Sequence, residues 1–193
     1  MLFTRTNCHE RISTLSLWES YKAVARLKRS GWVRRGILDP ESVAEHQISA
    51  ALMVTQQFRR EIEILGLDIL RTQDTLLIHD IGEWVVGDFT PHDTISPEEK
   101  RKNEEKTIRE ILWHNHYLLD LWLDYEDSRT PEGKLAMELD KLQAIEKARE
   151  YEDRYELSWL VEEFFTYSVI KKKQIQTDFL LRYATHLYEN KPR

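Results

Sequence analysis

Two histidines and two aspartates stand where helical spacing calls for apolar side chains. His46 shares a helical face with Val43, Ala50 and Met53, His79 and Asp80 follow the apolar run Leu76, Leu77, Ile78, and Asp140 has Ala136, Met137 and Ala144 as its one-turn neighbours. Each alone has a plain structural explanation, such as a core histidine bonded to a carbonyl or an aspartate capping a neighbouring helix. Together, two imidazoles and two carboxylates on inward faces form the donor set that a divalent cation takes, and two carboxylates buried without a cation are costly. His79 and Asp80 lie about 100° apart around a helix axis, so both can reach one ion. Glu83 is one turn further on, three residues from Asp80 and four from His79, and faces the same place without having to be a ligand. A divalent ion with open coordination positions acidifies water, and a carboxylate beside that water can take its proton. The alternative for Glu83 is a partner that only neutralises the site. The expectation is one divalent ion per chain on His46, His79, Asp80 and Asp140, at roughly 2.0–2.4 Å from each. Two nitrogens and two oxygens suit Mn, Co, Fe, Ni, Zn or Mg alike.

Other devices are absent. There is no G-x-S-x-G elbow, C-x-x-C pair, H-E-x-x-H or G-x-G-x-x-G, and Asp88 and Phe89 follow Gly82–Gly87 where a phosphate loop needs Lys and Ser or Thr. Cys8 sits in a polar N-terminal stretch, a poor setting for a catalytic thiol. His9, His92, His114, His116 and His186 read as solvated or structural.

The elements that must carry these groups are helices. Apolar residues recur at helical spacing nearly throughout, with Ile108, Ile111 and Leu112 on one face and Leu135, Leu139 and Leu142 on another, and strand-like alternation is lacking. Ser16 with Glu19, Ser96-Pro97-Glu98-Glu99 and Thr130-Pro131 are start signals. They predict helices near 16–29, 41–60, 68–87, 97–114, 117–127, 131–151, 156–170 and 177–189, with Gly31, Gly36, Gly66 and Gly87 at their ends. No internal repeat or linker interrupts the 193 residues, so the expectation is one compact all-α domain.

Composition narrows the function classes. With 28 basic and 34 acidic side chains the net charge of −6 argues against broad electrostatic binding to nucleic acid or anionic lipid. No apolar run approaches the roughly 18 residues of a membrane span. A single cysteine and the absence of a secretory leader predict a cytoplasmic protein.

The flanks of the polar residues carry a closer signal. LKRSGWVRRGILDPESVAEH (27–46), LLIHDIGEWVVGDFTPHD (76–93) and ELDKLQAIEKARE (138–150) resemble the HD-domain metal-dependent phosphohydrolase superfamily, in the branch of bacterial 5′-deoxynucleotidases and their HD-domain-containing relatives. The resemblance covers about residues 20–150, leaving C-terminal helices over 156–189, and implies a helical bundle of HD type. It also implies a phosphohydrolase that removes the 5′-phosphate from deoxyribonucleoside monophosphates. In that reading His46, His79, Asp80 and Asp140 bind the metal, Glu83 and Asp88 assist water attack and phosphate departure, and Trp32 borders the nucleoside. Bacterial members have an arginine directly before the tryptophan, whereas this chain has Gly31, so the phosphate contact must come from elsewhere. Arg26, Lys28, Arg29, Arg34 and Arg35 surround Trp32, and Arg34 or Arg35 are the first choices because a guanidinium can grip phosphate through two hydrogen bonds. The plain alternative is a core tryptophan with basic residues near a helix C-terminus. By the same resemblance Asp124 or Glu126 holds the sugar 3′-hydroxyl. Relatives of this branch commonly pair, and Trp159, Phe164, Phe165 and Tyr167 are more aromatics than one surface should leave in water, so a homodimer is expected. Two other readings stay open at this stage: a triphosphohydrolase, or hydrolase of another small phosphate, on the same centre, and a non-catalytic helical dimerisation module.

Overall fold

The computed structural model describes residues 16–90 and 94–190, and every named element among them is helical. The helices are α1 (Leu17–Val24), α2 (Ser30–Arg34), α3 (Val43–Leu52), α4 (Arg59–Ile64), α5 (Ile69–Ile78), α6 (Glu83–Val86), α7 (Pro97–Ile111), α8 (His116–Glu126), α9 (Pro131–Tyr155), α10 (Leu160–Phe165) and α11 (Asp178–Glu189). The start signals act as read: Ser16, Ser96 and Thr130 each accept a backbone N–H three residues on, from Glu19, Glu99 and Gly133. Ser42 and Glu45 add a full capping box that fixes the start of α3 just before His46.

Four expected helices are broken, and the breaks have backbone causes. The 16–29 segment stops at Val24 because Arg29 N–H bonds to Glu41 O (3.0 Å) and Val43 N–H to Leu27 O (2.9 Å) around an isolated Lys28/Ser42 bridge. This pins Arg29 beside the N-terminus of α3 and leaves Gly31 inside α2 rather than at an end. The 41–60 segment widens into a π turn at Met53–Gln57, closed by Phe58 N–H to Met53 O, before α4. The 68–87 segment ends at Ile78 and tightens to i−3 bonds, Ile81 to Ile78 and Glu83 to Asp80, so His79 and Asp80 sit on a turn and not within a helix. The 156–170 segment forms only α10 and a second π turn, Thr166–Lys171.

The core divides into two apolar clusters, and the polar groups of interest lie on the seam. On α3, Val43 and Ala44 belong to one cluster and Ala50 and Ala51 to the other, with His46 between them. On α5, Leu76 belongs to one and Ile78 to the other, and on α8 Tyr125 belongs to one and Leu121 and Trp122 to the other. Long α9 adds Ala136, Leu139 and Leu142 to the larger cluster. α10 and α11 pack on α9 and consume aromatics that the sequence suggests are exposed. Phe165 stacks on Tyr188 at 4.5 Å, Phe164 packs on Trp32 at 4.6 Å, and of these aromatics Trp159 is the one left 43% exposed. No described helix is long and apolar enough to cross a membrane.

One glycine sets the distance between α8 and α9. A Cβ on Gly133 would stand 2.5 Å from the carbonyl oxygen of Asp124, a backbone atom that cannot swing aside. Gly133→Ala should therefore lower the unfolding free energy by about 1–3 kcal/mol, the usual cost of overpacking, measured as a shift of the urea midpoint. An unchanged midpoint would mean that the two helices are free to part.

Candidate metal centre

α3, the turn after α5, and α9 bring His46, His79 and Asp140 together, with one donor atom from each within 4.8 Å of the others, all three buried. His46 Nε2 lies 3.0 Å from Asp140 Oδ1 and 3.7 Å from Asp80 Oδ2, and His79 Nε2 lies 3.1 Å from Asp80 Oδ2 and 3.9 Å from Asp140 Oδ1. Neither Nε2 makes a well-directed hydrogen bond among the described residues. Their Nδ1 hydrogens are committed on the far sides of the rings: His46 to Gln143 Oε1 at 2.5 Å, His79 to Leu76 O at 2.8 Å. An imidazole that donates through Nδ1 keeps a lone pair on Nε2, so two buried lone pairs and two carboxylate oxygens face one small space. Asp140 Oδ2 is engaged by the Tyr125 hydroxyl (2.7 Å) and by Lys141, which turns Oδ1 toward the histidines. This donor set fits a divalent cation, with Asp80 Oδ2 beside it as a fourth candidate donor.

Local charges sort the carboxylates. Burial alone would raise all of them, but without an ion the protonated form of His79 and then Arg29 hold Asp80 below the usual carboxylate range, and Lys141 with the protonated forms of His46 and His79 does the same for Asp140. Glu83 goes the other way. Buried, with Oε2 unpartnered among the described residues, it is pushed well above its ordinary value by burial and then by Asp80 and Asp88. Asp88 accepts the N–H of Ser30 at the start of α2 and faces Arg29.

Of the cations around Trp32, Arg29 is the one that bonds a carboxylate of this cluster among the described contacts. Its guanidinium donates to Asp80 Oδ2 at 3.1 Å and is held charged, against burial, by Asp88, Asp80, Glu83 and Asp140. Arg35 instead pairs with Glu163, bonds Gly31 O and lies over the Phe164 ring, while Arg34 is exposed on α2. Trp32 is core: 2% exposed, wedged against Tyr151 and Phe164, its indole N–H bonded to Glu41 Oε1 at 3.0 Å. It has no open ring face on which a base could stack.

The two acids of α8 part company. Asp124 turns to the α8/α9 junction, where Arg71, Arg129 and Thr130 hold its carboxylate. Glu126 stands with Arg101 (3.6 Å), Lys100 and Glu104 on the flank of Asp80, its carboxyl raised to about 7 by burial and then by Glu104. His92 and Cys8 lie outside the described residues.

Sequence reasoning missed Gln143, Glu41, Tyr125, Lys100 and Glu104. Lys100 and Glu104 read as an ordinary surface pair four residues apart, yet they close the wall beside Glu83. A signal for Gln143 was present: it sits one turn after Asp140 on the same buried stripe of α9, and a buried amide there needs a polar partner.

An HD domain family model matches residues 21–179. The 5′-deoxynucleotidase HDDC2 of Dictyostelium discoideum is 40% identical over 134 residues, 65% of this chain and 70% of that protein. The protein of the same name from Xenopus laevis is 32% identical over 184 residues, 91% and 88% of the two chains. Among solved structures, a conserved hypothetical protein from Pyrococcus furiosus superposes with a TM-score of 0.73 at 25% identity, covering 90% of this chain and 98% of its own. A Pyrococcus horikoshii OT3 protein gives 0.74 at 21%, with 90% and 97% covered.

The position of Asp124 makes a prediction that separates structure from substrate contact. Asp124→Asn should cost about 1.5–3 kcal/mol through its weakened arginine bonds and leave KM for substrate unchanged, as read by denaturant titration beside steady-state kinetics. A raised KM with full stability would return Asp124 to the substrate site.

Proposed function

Because the chain belongs to the HD-domain family, we propose that it is a metal-dependent phosphohydrolase removing the 5′-phosphate from deoxyribonucleoside monophosphates. The observation that carries this reading is the pair of buried, unpartnered imidazole nitrogens facing two carboxylates, with Glu83 alongside, in a chain similar to proteins named 5′-deoxynucleotidase. His46, His79, Asp80 and Asp140 would hold one divalent ion, which when bound supplies Lewis acidity toward a phosphate oxygen and toward water.

The chain's own residues do the rest. Glu83, with a raised proton affinity and a free Oε2, accepts the proton of the attacking water. Arg29 offsets the charge of the phosphate oxygens, filling the role that the bacterial members give to the arginine absent at Gly31. Asp88, fixed by Ser30 on the other side of Arg29, attends the departing 5′-oxygen. Glu126 is the acid placed to meet the sugar hydroxyl. Trp32 acts from the core, steadying the loop and short helix that carry Arg29. The same reading has a cytoplasmic homodimer, supported by the lone cysteine and by exposed Trp159 and Leu38 near the α2 and α10 surfaces.

The reading is tested by phosphate release from deoxy- and ribonucleoside mono- and triphosphates after metal stripping and reloading with each candidate ion. Deoxyribonucleoside monophosphates should be turned over fastest, with about one ion bound per chain. Equal or faster turnover of a triphosphate would reassign the substrate, and no turnover with any ion would leave a helical interaction module. Glu83→Gln should slow the reaction by about 10²–10⁴ with metal content and stability unchanged, measured by single-substrate kinetics and elemental analysis. A variant that keeps its ion and works within tenfold of the parent would shift the proton acceptor to Asp88.

A further inference from the structure

Behind His46 runs a buried chain of hydrogen bonds with a fixed direction. Trp32 Nε1 donates to Glu41 Oε1 at 3.0 Å, Gln143 Nε2 donates to Glu41 Oε2 at 3.0 Å, and Gln143 Oε1 meets His46 Nδ1 at 2.5 Å. Glu41, Gln143 and His46 are 5%, 2% and 0% exposed, and Lys147 Nζ lies 3.8 Å from Glu41 Oε2 on the outer side.

The polarity of this chain is forced from one end. A carboxylate offers only acceptors, so it takes the amide's N–H and thereby decides which end of Gln143 faces His46. The amide oxygen then requires a hydrogen on His46 Nδ1, and the only neutral form that remains leaves a lone pair on Nε2. Were the Gln143 amide reversed, its N–H would face Nδ1, the ring hydrogen would move to Nε2, and the atom pointing at Asp140 and Asp80 would be a donor without a lone pair. His79 needs no such arrangement, because its Nδ1 bonds a backbone carbonyl that cannot reverse.

We propose that Glu41 is a positioning residue that, through Gln143, locks His46 in the tautomer able to bind a cation, and that it ties this lock to the seat of Trp32. The metal-affinity consequence rests on the metal centre proposed above, whereas the tautomer itself is a property of the metal-free protein. Glu41 touches none of the four candidate ligands, and no role of bulk or charge at the ion is asked of it.

The decisive variant is Glu41→Gln. Its oxygen still accepts from Trp32, but its new N–H group confronts the N–H group of Gln143, which is relieved by reversing the Gln143 amide. In metal-free protein at alkaline pH, the ¹⁵N spectrum of His46 should move from the Nδ1–H form toward the Nε2–H form. Affinity for Co²⁺, measured against a competing chelator, should fall by about tenfold or more, the usual effect of losing an outer partner of a ligand histidine. The exchanged pair Glu41→Gln/Gln143→Glu restores the order of donor and acceptor, with the carboxylate now next to His46, and should recover both readouts. If Glu41→Gln does not fold, Gln143→Met carries the test: it removes the acceptor and should give a mixture of His46 tautomers. His46 remaining fully Nδ1–H in Glu41→Gln, or a shifted tautomer that the exchanged pair fails to recover, would overturn the proposal. A shifted and recovered tautomer without any Co²⁺ binding in the parent would leave the relay standing and remove the metal reading.

Discussion

The arrangement depends on one constraint: two imidazoles with their Nδ1 hydrogens spent elsewhere must, once neutral, present bare lone pairs to the same buried space as two carboxylates. Four groups that all offer electron density repel one another at 3–4 Å, and a low-dielectric surrounding strengthens the repulsion. Arg29 and Lys141 relieve part of it from the rim, each bonded to one carboxylate. A divalent cation would balance the remainder from the centre, which is why the same four side chains are costly as a core and effective as a binding site.

The hydrophobic architecture makes that concentration of polar groups tolerable. Neither apolar cluster contains the site; it lies where they meet, and α3, α5 and α8 each contribute residues to both. The three buried candidate ligands are met at their backs: Gln143 behind His46, a backbone carbonyl behind His79, and Tyr125 behind Asp140, while Trp122 bonds the His79 carbonyl. The side chains are thus held from behind and free in front, the condition for a ligand set that is organised before its ion arrives.

A chain of net charge −6 meets an anionic substrate by local means. Arg29 is surrounded by Asp80, Asp88, Glu83 and Asp140 and stays charged because of them. Lys100, among Glu104, Asp80 and Glu83, is raised to about 12 in the same way, against its own burial. Alternating signs over a few ångströms let such a pocket accept a phosphate and also keep a carboxylate such as Glu83 ready to hold a proton.

The sequence by itself determined the helical class, the caps at Ser16, Ser96 and Thr130, and the inward faces carrying His46 and Asp140, because these follow from local periodicity and hydrogen bonds within three or four residues. The HD-family flanks were likewise legible as contiguous strings. Tertiary structure decided what depends on residues far apart in the chain. Arg29 was one of five cations around Trp32, with Arg34 and Arg35 the first choices, until the Lys28/Ser42 bridge aimed it at Asp80, 51 residues away. Trp32 became core only when Phe164 and Tyr151 closed over it, and the Asp124 carboxylate was engaged only when Arg71 arrived from α5. The π turns and the turn at 79–82 were invisible to periodicity, since they arise where packing between helices outweighs the local preference for an unbroken i−4 ladder.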